Sequence, residues 1–137
     1  MQTFLPYPDM RLSLACLDDR RLGKQRAETL QVLNALAATR EGCPYGWKNH
    51  PVARMWRAYD DALKLYLNLS LDEWEGRGFR NNMPRQLVSS GDPALPPWWG
   101  VERLHASHRS NLLRKAPDHY RRYGWSEPDD LPYFWPA

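Results

Sequence analysis

The segment LDDRRLGKQRAETLQVLNALAA, residues Leu17–Ala38, decides the fold. Set at 100° per residue, Leu22, Thr29, Leu30, Leu33, Leu36 and Ala37 gather on one side, the pattern of an amphipathic helix from about Asp18 to Ala38. Asp18 or Asp19 supplies a cap at its start, and the breaker-rich Glu41–Gly46 follows its end. Arg21, Lys24 and Glu28, at i, i+3 and i+7, share a strip turned away from the leucines, flanked by Gln25 and Gln31. With Arg20 they form a face suited to DNA phosphates. A carboxylate inside such a face repels phosphate, so Glu28 needs another reason. It is either the partner of Lys24 in an exposed pair worth ~0.3–0.5 kcal/mol or a chemical group. Arg26 falls within the apolar arc, so it must reach a buried polar group or bend toward the helix start; it stays among the cationic candidates.

Working outward, a second long helix is predicted from about Pro51 to Glu75, with Trp56, Tyr59, Leu63, Tyr66, Leu67 and Trp74 at helical spacing and Gly76 and Gly78 at its end. A third covers Val101 to Lys115 and stops before Pro117. Pro6 and Pro8 make the first residues extended, and Pro84, Pro93, Pro96 and Pro97 break the stretch before the third helix. The tail is too rich in proline and aromatic residues for a regular element and should lie across the helices. The expectation is an all-α single domain over residues 1–137, with three main helices, long ordered loops and an aromatic C-terminal segment.

The chain of 137 residues has 42% hydrophobic and 26% charged residues, an ordinary globular composition. No apolar run approaches the ~20 residues of a membrane span, and the N-terminus lacks the features of a signal peptide. A cytoplasmic, nucleoid-associated monomer is expected, with Cys16 and Cys43 as thiols. The net charge of +3 is unevenly spread. Arg20 to Arg57 contains eight Lys/Arg against Glu28 and Glu41, and Glu102 to Tyr123 contains six against Glu102 and Asp118. Brought together, these stretches make one cationic face for a phosphate backbone.

Lys48, Asn49 and His50 enter the second helix, where backbone amides favour an anion; the alternative is a cap by Asn49 and a packed histidine. His105 and His108 are one turn apart, but no Asp, Glu or Cys completes a metal set. No metal or cofactor is expected, and the pair reads as a polar helix face with Arg109 on the DNA side. Tyr120, Tyr123 and Trp125, beside Arg121 and Arg122, are candidates to stack on a base and hold phosphates.

LDDRRLGKQRAETLQVL, GWKNHP before an aromatic helix, RGF at that helix's end and the closing HYRRYGW together resemble the pyrimidine-dimer DNA glycosylase (endonuclease V-like) family, in its bacterial branch. The resemblance covers nearly the whole chain. It implies a compact all-α fold, double-stranded damaged DNA as partner, removal of a damaged pyrimidine, and strand cleavage at the abasic site. It further implies an N-terminal α-amine as nucleophile and a helix-borne glutamate, which falls at Glu28 when Leu17 and Asp19 are matched. Arg21 and Ala27 stand where the family's phage branch has a histidine and an arginine, so those roles do not transfer. An α-amine titrates near 7.7–8.0, against ~10.4 for lysine, and is partly neutral at cellular pH. Gln2 is too large a neighbour for normal methionine removal, so the available amine is that of Met1. A Glu28-activated water, a non-catalytic binding module of the same fold, and a metal-dependent nuclease (opposed by the lack of a carboxylate cluster) are the competing readings.

Overall fold

The computed structural model describes residues 1–136. Helices α1 (Met10–Cys16), α2 (Asp19–Glu41), α3 (Pro51–Met55), α4 (Asp60–Gly76), α5 (Glu102–Lys115) and α6 (Pro117–Tyr120) follow in order, and a 3₁₀ turn spans Arg121–Tyr123. No strand occurs among the described residues, so the chain is all-α. Among the described residues, no helix is long and apolar enough to cross a membrane.

α1 departs from the extended start expected of this region. Pro6 and Pro8 end just before it, and Asp9, in extended backbone, accepts a hydrogen bond from the Leu12 N–H at 2.8 Å, capping a helix of two turns. α2 forms as the apolar period requires and overruns the expected end by one turn. Gly42, at φ 68°, terminates it in the left-handed region, and the Cys43 N–H reaches back to the Ala38 carbonyl at 2.9 Å. Its buried arc includes Gln25 and Val32 and leaves Leu30 and Ala37 only partly covered. The true inward face is therefore rotated toward Gln25.

The predicted second helix is two helices. Ala58 takes φ 71°, the left-handed region, between α3 and α4. The turn lets Trp56 lie fully buried, its indole N–H donating to Thr3 Oγ1 at 3.0 Å, before α4 resumes. A non-glycine residue held there costs ~1–2 kcal/mol, partly offset in a glycine by its freer unfolded chain. Ala58→Gly is therefore expected to raise the unfolding free energy by about 0.5–1 kcal/mol, read as a higher urea midpoint at unchanged slope.

α4 packs mainly on α2, and Gly23 lies at the crossing. A Cβ there would sit 3.2 Å from the Trp74 ring, so the small residue admits the indole. Arg77 closes this corner. It pairs with Asp19 and Glu73 at 2.9 Å each and donates to the Leu14 and Ala15 carbonyls at the end of α1, where a cation complements the helix dipole. The loop after α4 is ordered by paired bonds between Asn68 and the Gln86 backbone and by Trp98, which donates to the Met55 carbonyl at 2.8 Å and meets Trp56 edge-on.

α5 is polar in sequence and buried in fact. Ser107, Ser110 and Asn111 bond to the backbone of Pro128, Leu131 and Phe134, so the tail runs along this helix. Opposite the tail, the same helix meets the N-terminal segment. The tail from His119 starts with regular structure, contrary to the expectation of none there: α6 and the 3₁₀ turn carry it to Tyr123, because Pro117 fits a first helical turn.

Candidate active site

Residues 2–5 form a buried segment outside any helix and without a sheet partner, so its backbone polar groups need side chains. α2 supplies Gln25, whose Nε2 donates to the Gln2 carbonyl at 2.7 Å and whose Oε1 accepts from the Phe4 N–H at 2.9 Å. The Tyr66 hydroxyl of α4 lies within bonding distance of both that Oε1 (2.6 Å) and the Phe4 carbonyl (2.8 Å). α5 supplies the two histidines. His108 Nδ1 accepts from the Leu5 N–H at 2.9 Å, and His105 Nδ1 meets the Leu5 carbonyl at 2.7 Å, while its Nε2 accepts from the Gly100 N–H. These partners assign a neutral tautomer to each ring.

The result is a fixed position for the start of the chain. The Gln2 N–H donates to Glu28 Oε2 at 3.2 Å, and Met1 and Glu28 line one pocket of about 250 Å³. Its other walls are Gln2, Phe4, Arg20, Arg21, Lys24, Gln25, Lys115 and Tyr133. Arg20, Arg21 and Lys24 thus gather around Glu28 as the strip on α2 suggests. Among the described residues no ion pair joins Lys24 to Glu28; Arg21 pairs instead with Asp18 at 3.2 Å. The carboxylate is partly exposed and faces a recess with four cationic side chains. Cations attract phosphate there, and a carboxylate beside an amine can stabilise a developing sugar cation or take a proton.

His50 stands close by. Its Nδ1 accepts from the Val52 N–H at 3.0 Å and so caps α3, the part that Asn49 was given in one of the two readings of this loop. Its ring meets Trp47 and Trp135 edge-on. Burial holds its pKa below the ordinary value, the Met1 ammonium adds to this, and Glu28 opposes both. Asn49 is exposed, and Lys48 folds back to donate to the Cys43 carbonyl at 3.2 Å.

Other candidates do not join this pocket. Arg26 turns to α4, its guanidinium 4.1 Å from the centre of the Trp74 ring and bonded to Asn81. His105 and His108 are fully buried, which corrects the expectation of a DNA-facing polar pair: both Nδ1 atoms bond to the Leu5 backbone and His105 Nε2 to the Gly100 N–H. Arg109 is corrected likewise. It is buried, makes a two-pronged contact with Glu127 at 2.9 and 3.0 Å, pairs with Glu102 and donates to the Pro6 carbonyl. Tyr120 is fully buried and bonded to Asp18, so it is unavailable to a base. Tyr123 and Trp125 stack at 5.4 Å, and Trp125 donates to the Tyr7 hydroxyl, which puts these rings beside α1 rather than Glu28. Arg121 and Arg122 are exposed on that same region, held by Asp118 and the His119 carbonyl. Burial pushes the Cys16 thiol up to about 12, leaving it inert, and no group of three metal-ligating side chains occurs among the described residues.

Reading the sequence missed Gln2, Phe4, Lys115 and Tyr133 as pocket residues and Gln25 as an anchor. The one available signal was a glutamine on the rim of the apolar arc of α2.

The buried histidines carry a pH signature. Burial first, then His105 and Arg109, depresses His108 to about 3, below its ordinary 6.5, and His105 is lowered too. The unfolded chain takes up these protons at a pH where the folded chain refuses them. Their contribution is thus complete above about 6.5 and is lost as pH falls toward the folded values. Unfolding free energy should decline from pH 7 to pH 4 with a slope of at most about 1.4 kcal/mol per unit for each histidine. His108→Asn, whose Oδ1 replaces the Nδ1 acceptor, should show a shallower decline in urea titrations.

No curated protein and no solved structure matches this chain. A family model does: that of pyrimidine dimer DNA glycosylase, over residues 1–87. This span is more than half of the chain and holds every pocket residue except Lys115 and Tyr133. The chain belongs to the pyrimidine dimer DNA glycosylase family and is a DNA-repair glycosylase acting on damaged DNA.

Proposed function

We propose that the chain, acting as a monomeric single domain, excises a pyrimidine dimer from duplex DNA and then cleaves the strand at the abasic site, with the Met1 α-amine as nucleophile and Glu28 as its carboxylate partner. The observation that carries this reading is the shared recess: Met1 and Glu28 line one pocket with Arg20, Arg21, Lys24 and Lys115. The anchoring of residues 2–5 by Gln25, His105, His108 and Tyr66 adds support, because a nucleophile at a chain end has to be held still to react. In this mechanism the neutral amine attacks C1′ and the base departs with the bonding pair. The C1′–O4′ bond then breaks, O4′ keeping its electron pair and taking the proton that the nitrogen loses, which leaves a protonated imine. Glu28 stabilises the developing positive charge on the sugar, then removes the C2′ proton as the 3′ phosphate leaves. Arg20, Arg21 and Lys24 hold the flanking phosphates, with Lys48, Asn49 and His50 on the neighbouring loop.

The test uses duplexes carrying one pyrimidine dimer, one oxidised pyrimidine or one abasic site, each incubated with the protein and borohydride. Scission of the glycosidic bond of one dimer base, which stays joined to its neighbouring base, and a covalent adduct at Met1, lost when the α-amine is acetylated, are the expected outcome. Base release without an adduct would assign the nucleophile to a water activated by Glu28. Binding with neither product would contradict the enzyme reading and leave a DNA-binding module.

A further inference from the structure

Lys115 is the last residue of α5, where Ala116 and Pro117 end the helix, and it lines the same pocket as Glu28 and Met1. Its side chain is exposed and, among the described residues, makes no ion pair. No carboxylate therefore holds the ammonium away from the recess. Most surface lysines lack a reason to lose a proton; this one has one. Partial desolvation first, then Arg21, Arg114 and Lys24, hold its pKa below the ordinary lysine value, with Glu28 opposing. A crowded cationic pocket thereby favours the neutral amine, which is the nucleophilic form.

Resting on the repair reading above, we propose that Lys115 is a second amine of this pocket able to form an imine with the abasic-site aldehyde. Its Nζ adds to C1′ of the ring-opened sugar, giving a carbinolamine that loses water to become a protonated imine. Glu28, lining the same pocket, takes the C2′ proton; the electron pair forms the C2′–C3′ double bond, and the 3′ phosphate leaves with the C3′–O pair. Water then hydrolyses the imine, returning the amine and releasing the unsaturated aldehyde. No oxidant, reductant or metal enters the balance. The alternative role, a point charge holding a phosphate, makes the same contacts with DNA but forms no bond to C1′.

Borohydride trapping on abasic-site duplex, followed by peptide mass mapping, separates the two roles. The intact chain is expected to give adducts at both Met1 and Lys115. Protein acetylated at the α-amine should keep about a tenth of the trapped product, and Lys115→Arg in that background should lower it at least about tenfold more. Lys115→Arg keeps the charge, so DNA affinity measured alongside should hold. An adduct found only at Met1, or a residual adduct that survives Lys115→Arg, overturns the proposal and leaves the Met1 reading intact. No adduct from the intact chain on any substrate overturns this proposal together with the Met1 imine. If base release is absent as well, the enzyme reading falls too.

Discussion

In a Gln25→Met variant, the unfolding free energy is expected to fall by about 3–5 kcal/mol, and excision by the protein that remains folded by about a hundredfold. The side chain is nearly the same size, so little cavity is left; what is lost is hydrogen bonding. The Gln2 carbonyl, the Phe4 N–H and the Tyr66 hydroxyl all lose a partner in a buried setting, although Tyr66 keeps the Phe4 carbonyl. Each orphaned group costs roughly 1–3 kcal/mol, far more than the net value of the bond it made. The second effect is positional. With residues 2–4 unmoored from α2, Met1 is no longer fixed in the recess it shares with Glu28, and a displacement of one ångström in a reacting pair is enough for about a hundredfold loss. Urea unfolding and single-turnover excision at saturating enzyme measure the two effects separately. A variant within about 1 kcal/mol of the parent and equally active would show that the anchoring is incidental.

Glu28→Gln should behave in the opposite way: a stable protein without chemistry. The one hydrogen bond that Glu28 accepts among the described residues, from the Gln2 N–H at 3.2 Å, is available to an amide oxygen, so stability should change by less than about 1 kcal/mol. Excision should fall by about 10²–10⁴-fold, since an amide neither takes a proton nor stabilises a sugar cation as a carboxylate does. Affinity for the lesion duplex should hold or rise, because a negative charge leaves a pocket that meets phosphate. Fluorescence titration of the duplex at two salt concentrations, beside the single-turnover rate, checks both halves. Loss of binding together with rate would instead mark Glu28 as a structural residue.

Much of this arrangement is legible in the chain because it is local. The period of Leu22, Leu33 and Leu36 gives α2, and the same period puts Arg21, Lys24 and Glu28 on one strip. The Gly after Glu41 marks where α2 ends. The features that escape are those without a local cause. Alanine is the best helix former, so nothing near Ala58 announces a left-handed turn; it follows from where Trp56 is drawn by Thr3, 53 positions away. His105 and His108 look like a solvated polar face because their partner, the Leu5 backbone, lies 100 and 103 positions earlier. Arg109 reads as a DNA cation until Glu127 and Pro6 are seen around it. Lys115 hides for the reverse reason: a lysine in the last turn of a helix is what the dipole favours, and only the tertiary fold turns it toward Glu28.

In the proposed mechanism an acidic side chain and the first amine of the chain meet a sugar carbon within one cationic recess. A structure of the protein on a duplex carrying a stable abasic-site analogue tests it most directly. C1′ of the analogue should lie between Met1 and Glu28, with the Met1 nitrogen within about 3–3.5 Å of it and phosphates against Arg20, Arg21 and Lys24. An analogue bound instead beside Tyr7 and Tyr123, with Glu28 facing open solvent, would contradict it.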